Sequence, residues 1–209
     1  MKLCLSIFAI IFITGCSVVG QSDVESAPYT LIKEDKSKAI EVRNYNSMVL
    51  VSTSMSNGET NSAFRRLFNY ISGENSGAAE IAMTAPVLMA ESNSTKLGTE
   101  ISMTTPVLMS QNAQSSVMSF VMPANFTLAT TPKPSDPKVT LSEVTNYKVA
   151  AIQFNGTLSD NNVAKYTKIL MDWIDKQGYI ARSEAVEASY NGPLTLPMWR
   201  KNEILVEVE

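Results

Sequence analysis

The sequence predicts an α+β domain in which two helices pack against one curved antiparallel sheet or barrel. Two observations predict it. The element order β-β-α-β-β runs through the chain twice, and an Asn-Tyr pair recurs at the same place in each run (Asn44-Tyr45, Asn146-Tyr147). In addition, each run contains one segment whose apolar period changes from two to 3.6.

In the first run, Lys38 to Tyr45 alternates, with Ile40 and Val42 against Glu41 and Arg43. Ser47 to Met55 is a second β-rich stretch, and Asn44-Tyr45-Asn46 between them reads as a turn. From Asn61 to Ser72, Phe64, Leu67, Phe68 and Ile71 recur at i, i+3, i+4 and i+7, the stripe of an amphipathic helix. Thr60, Asn61 and Ser62 offer caps, and Gly73 offers the stop. Val117 to Met122 closes the run as a strand. In the second run, Val139 to Ser142 and Lys148 to Phe154 are β-rich. Asp160 to Gln177 is helical, with Val163, Tyr166, Leu170, Trp173 and Ile174 on one face and Gly178 as the stop. Ile204 to Val208 is the last strand. Prolines 132, 134 and 137 mark the joint between the halves. Each half is too small to bury its own helix, so both share one core.

The N-terminus reads as a processing signal. Lys2 precedes an apolar run from Leu3 to Ile13, which is too short to cross a bilayer. Ile13-Thr14-Gly15-Cys16 resembles the bacterial lipobox, with Cys16 as the lipidated residue. Ser17, rather than Asp, follows it. The expectation is a signal peptide over 1–15, a lipidated Cys16 with a tether over 16–28, and a body over 29–209. That body would be held on the outer membrane of the cell envelope, facing the periplasm. Cys4 leaves with the signal, so the mature body has no thiol for a disulfide, a metal site or a nucleophile. Removing residues 1–15 takes Lys2 and no acid, moving the formal charge from −3 to −4. A mildly acidic body without a basic cluster argues against nucleic acid as a partner, and a monomer is expected.

The chain contains no histidine. This excludes histidine triads, histidine metal sites and histidine-ligated haem. Glu59, Glu74, Glu80 and Glu100 are candidate acids, but no spacing pairs them, so no enzymatic activity is expected.

One motif is written twice. Residues 80–90 (EIAMTAPVLMA) and 100–110 (EISMTTPVLMS) agree at eight of eleven positions, and six of the eleven methionines lie between Met83 and Met122. Methionine moulds itself to irregular partners. Positions 81/83/85/87/89 and 101/103/105/107/109 alternate on one side, the period of a strand. Pro86 and Pro106 belong at edges or bulges. Such a strand, with Met83 or Met103 on its face, can bound a cavity or simply fill core. The second copy reads as a local elaboration, a hairpin with residues 90–99 as its loop. The stretch Tyr190 to Glu203 is a second candidate region. Its apolar loop of Leu194, Leu196, Met198 and Trp199 is followed by Arg200-Lys201, which can cover a flat ligand or pack a barrel end.

From about Tyr29 to Glu209 the chain resembles the SOUL haem-binding family. The resemblance is carried by FRRLFNYISG (64–73), IAMTAPV (81–87), MSFVMP (118–123), Pro132-Lys133-Pro134, and Leu196-Pro197 through Arg200-Lys201-Asn202-Glu203. It implies a distorted antiparallel β-barrel with two helices and a pseudo-twofold duplication, similar also to the ligand-binding domain of GyrI-like regulators. It further implies haem or another porphyrin, held non-covalently in an apolar groove between the first helix and the loop before the last strand. Carried onto this chain, that groove takes Phe64, Leu67, Phe68 and Ile71 from the helix and Met198 and Trp199 from the loop. Arg65 or Lys201 would lie near the propionates. Without histidine, haem iron would be ligated by Met or Tyr, or by no protein group at all, with affinity mostly from apolar burial. The alternative is a protein–protein interaction module of the envelope that uses the same apolar surface.

Overall fold

The computed structural model describes residues 24–55, 60–90, 116–192 and 195–209. The signal segment, Cys16, Met103 and the second copy of the doubled motif lie outside them.

The strands are β1 (Glu25–Ser26), β2 (Thr30–Asp35), β3 (Ile40–Met55), β4 (Thr84–Ala85), β5 (Val87–Ala90), β6 (Ser116–Val121), β7 (Val139–Asn155), β8 (Val186–Ser189) and β9 (Lys201–Glu207). The helices are α1 (Thr60–Ile71) and α2 (Asp160–Lys176). The order β3-β6-β5-β8-β9-β7 returns to β3, because β3 also pairs with β7 from Ile40↔Ile152 to Thr53↔Val139. This closes a six-stranded antiparallel barrel, with β2 added outside on β3.

The duplication takes a simple form: β3-α1-β5-β6 repeats as β7-α2-β8-β9. The two β runs expected at the head of each half are one strand, 16 residues long in β3 and 17 in β7. Asn44-Tyr45-Asn46 is not a turn. Asn146 instead takes a left-handed φ of 51° inside the strand, a conformation asparagine tolerates. Tyr45 and Tyr147 are direct register partners, and their rings stack 6.3 Å apart. Equivalent residues facing each other across an antiparallel pair place the pseudo-twofold axis there.

Strand alternation sorts the core into three layers. Tyr45, Met48, Leu50, Leu88, Val121, Tyr147, Val149, Val186, Ala188 and Leu205 come from all six barrel strands and fill its interior. Val49, Val51, Met118 and Phe120 face outward beneath α1, with Ala63, Leu67, Tyr70 and Ile71. Ile40, Val42, Ile152, Ile204 and Val206 do the same beneath α2, with Leu170, Trp173 and Ile174.

The buried face of α1 is rotated from the stripe of large apolar residues. Ala63 sits at 0% exposure, and the Tyr70 hydroxyl donates to the Pro132 carbonyl at 2.7 Å. Phe64 falls on the flank of this face, and Phe68 is 46% exposed. A period count of large side chains overlooks the alanine, which lets the helix axis approach the sheet. Leu67→Ala is expected to cost about 2–5 kcal/mol, read by urea unfolding, because Leu67 is fully enclosed.

Two strands escape the sequence pattern. β2 (TLIKED) is largely exposed, and β8 (VEAS) has four residues. The described residues before Tyr29 are paired with the barrel's surroundings. Glu25 and Ser26 pair in parallel with Thr84 and Ala85, and Ala27 N–H donates to the Ala85 carbonyl at 3.2 Å.

Candidate functional site: an apolar groove outside the barrel

The first copy of the doubled motif builds a groove floor. Leu88 points into the barrel, so by strand alternation Val87 and Met89 point out of it. They meet their cross-strand partners Phe120 and Met118 on β6. Met83, Ala85, Val87, Met89 and Met118 line a cavity of about 520 Å³. Thr84 is buried, and its hydroxyl donates to the Val121 carbonyl, which fixes the motif against β6. Pro86 occupies the break between β4 and β5, where no ladder donor is required. β5 is not an edge strand, since β6 and β8 pair with its two sides.

One wall is the start of α1, with Thr60, Asn61 and Phe64. Phe64 is braced edge-on against Phe120, with centroids 5.3 Å apart, and stacks on Phe68 at 6.1 Å. The other wall is the end of β8 and the segment that follows it (Ser189 to Gly192), with Arg200, Asn202 and Leu158. Hydrogen bonds hold this wall in place. Asn191 Oδ1 accepts from Lys201 N–H at 2.7 Å, and Asn202 Nδ2 donates to the Gly156 carbonyl at 3.0 Å. Arg200 Nε donates to the Thr195 carbonyl at 2.7 Å. Val24, where the described chain begins, also lines the groove.

Behind Tyr190 lies a buried ion pair. Arg43 and Glu203 are 1% and 3% exposed and are bonded through Nη2 and Oε2, with Nη1 at 3.4 Å from Oε1. The Tyr190 hydroxyl donates to Glu203 Oε2 at 2.6 Å. Burial, the largest single influence, would raise the Glu203 pKa, but the Arg43 charge, the Lys201 charge and the hydrogen bonds from Arg43 and Tyr190 together outweigh it and hold the carboxyl below its ordinary value. Burial, reinforced by the Glu203 charge, pushes the Tyr190 hydroxyl far above the ordinary tyrosine range. Tyr190 is therefore a neutral hydrogen-bond donor rather than a phenolate.

The residues singled out from the sequence separate in space. Phe64 and Met83 come together in the groove. Leu67 and Ile71 are core beneath α1, because the helix turns them onto the sheet. Phe68 and Arg65 are exposed on the helix surface. Met198 and Trp199 are 66% and 42% exposed, on a single 3-10 turn outside the cavity. Lys201 is half-buried, 3.4 Å from Glu203 and 4.2 Å over the Tyr190 ring. It does not line the groove, whose cationic residue is Arg200. Val87, Met89 and Met118 carry a sequence signal in the methionine cluster and strand period. Leu158 carries none, since only the tertiary fold brings it to the site.

A closed barrel bearing an external groove of small-molecule dimensions defines the class: an α+β barrel with a candidate ligand site. More particularly, the chain belongs to the SOUL heme-binding protein family, whose model matches residues 24–207. Among solved structures it is similar to an uncharacterized conserved protein from Listeria innocua, at 12% identity and TM-score 0.55, over 82% of this chain and 93% of that one. It is also similar to the EcmrR C-terminal domain, at 12% identity and TM-score 0.52, over 87% and 98%. A third similar structure is a hydrolase from Listeria innocua, at 10% identity and TM-score 0.54, over 82% and 92%. At these identities the likeness shows the fold alone, which is GyrI-like. No curated protein matches the chain.

Proposed function

We propose that this chain binds haem or a related porphyrin in the groove by apolar burial, without catalysis, as a lipid-anchored protein of the cell envelope. The observation that carries the reading is the methionine-floored groove in a member of a heme-binding family. The residues present fit such a group. Phe64, Met83, Val87, Met89, Met118 and Leu158 offer apolar faces to a flat macrocycle, and Arg200 offers a guanidinium to its carboxylates. When bound, haem would supply an iron atom that prefers a protein ligand. With no histidine and with Tyr190 held neutral, the thioethers at the groove among the described residues are those of Met83, Met89 and, buried in the floor, Met118.

Apolar burial then dominates affinity, and iron-free protoporphyrin is expected to bind about as tightly as hemin. Titration of the full chain with each, followed by tryptophan and Soret absorbance changes, checks this. Absence of saturable binding tighter than tens of micromolar, an order-of-magnitude limit, would remove the reading. Much tighter hemin binding would instead reveal iron ligation by the protein.

The anchor rests on Ile13-Thr14-Gly15-Cys16. Among the described residues no helix is long and apolar enough to cross a membrane. Cys16→Ser is expected to abolish incorporation of labelled palmitate into the chain and to leave the signal segment uncleaved. Label retained by the variant would contradict Cys16 as the lipidated residue.

A further inference from the structure

The segment Leu196 to Trp199 holds three apolar side chains in water. Leu196, Met198 and Trp199 are 42%, 66% and 42% exposed. The backbone beneath them is tightly organised. Trp199 N–H donates to the Leu196 carbonyl at 2.9 Å, Arg200 N–H to the Pro197 carbonyl at 3.1 Å, and Arg200 Nε to the Thr195 carbonyl at 2.7 Å. Single exposed apolar residues are ordinary, but here three lie within four residues on one bonded turn. Tryptophan and methionine on such a turn suit the boundary between headgroups and acyl chains.

The path of the chain says which surface the patch meets. Arg200, next in sequence, lines the groove, and so does Val24, eight residues after Cys16. β1 fastens this N-terminal end to the groove floor by pairing with Thr84 and Ala85. Eight residue steps separate Cys16 from Val24, a reach of at most about 28 Å. A body of this size has a radius of gyration near 16 Å and is about 40 Å across. An anchor at Cys16 therefore cannot let the body turn its groove side away from the bilayer. It brings the mouth of the groove, and the apolar turn beside it, to the lipid surface.

We propose that the Leu196–Trp199 turn inserts into the bilayer interface. Together with the anchor it would face the groove onto the membrane, so that an apolar ligand passes between lipid and groove without crossing water. This inference rests on the anchored reading of Cys16.

Only two tryptophans are present, and Trp173 is 2% exposed beneath α2, so lipid-borne quenchers report on Trp199. The full chain, purified from membranes and reconstituted in phosphatidylcholine vesicles, is expected to lose emission when the acyl chains are brominated. W199F should show no such loss. Quenching of Trp199 by aqueous acrylamide with none by brominated lipid would place the turn in water, on the ligand or on another protein, and overturns the proposal. Equal bromolipid quenching of W199F overturns it as well. The mass of the N-terminal peptide scores the anchor separately: a bare Cys16 removes the anchor and this inference with it. The hemin titration scores the ligand independently of both.

Discussion

Replacing Glu203 by alanine is expected to destabilise the domain by about 3–5 kcal/mol, since it strands a buried guanidinium without its counter-charge. Arg43 is 1% exposed, and its other carboxylate neighbour, Glu41, lies 3.5 Å away with its side chain 31% exposed. Loss of Glu203 also strips the Tyr190 hydroxyl of its acceptor at 2.6 Å. A loss of this size is a large fraction of an ordinary domain's stability. Urea unfolding reads it directly. The paired variant Arg43→Met with Glu203→Leu should lose much less, because it removes both charges rather than one. A single-variant cost below about 1 kcal/mol, the range of surface pairs, would show that water reaches the pair.

The same pair sets an acid limit. The Glu203 pKa is lowered in the folded protein, so its stabilising contribution is complete above the unfolded value near 4.3. It is lost as pH falls through the folded value. Wild-type stability should decline over this window. The double variant should keep whatever part of its stability does not come from the remaining carboxylates.

Phe64→Ala is expected to weaken porphyrin binding about 10–100-fold, the equivalent of losing roughly 1.5–3 kcal/mol of aromatic burial. Phe64 lines the groove and is only part-buried in the free protein, so the ligand would complete its burial. Leu67→Ala is the informative contrast. It lies one turn further along the same helix at 0% exposure. It should lower stability while leaving the affinity of the folded fraction unchanged. Reversal of the two outcomes would move the binding surface from the groove to the helix face expected from sequence. Fluorescence titration at a urea-free temperature well below each variant's Tm separates the effects.

These contrasts mark where sequence legibility stops. The duplication, both helices and their stops at Gly73 and Gly178 were legible, because period and punctuation are local properties. The strand parity of Met83, Ala85, Val87 and Met89 was legible too, and it brings these residues to one groove. The Phe64/Leu67/Phe68/Ile71 stripe was misleading in detail. A stripe says that a helix has an apolar face, but the rotation of that face depends on which residue lets the axis approach the sheet. Here it is Ala63. Arg65 and Lys201 were chosen for charge, yet one is exposed on the helix and the other is engaged by Glu203.

By itself the sequence determined the α+β class, the twofold repeat, the family, and the absence of histidine chemistry, all of which follow from residue identity and short-range spacing. Only the tertiary structure decided that the leading runs of each half are single long strands. It also closed β3 onto β7, paired Arg43 with Glu203 across 160 positions, and set Leu158, Tyr190 and Arg200 around the first Met-Thr-x-Pro-Val copy. The physical reason is the same in each case. Barrel closure couples strands far apart in the chain, and which side chains meet at a seam depends on register and shear, quantities that no local pattern encodes.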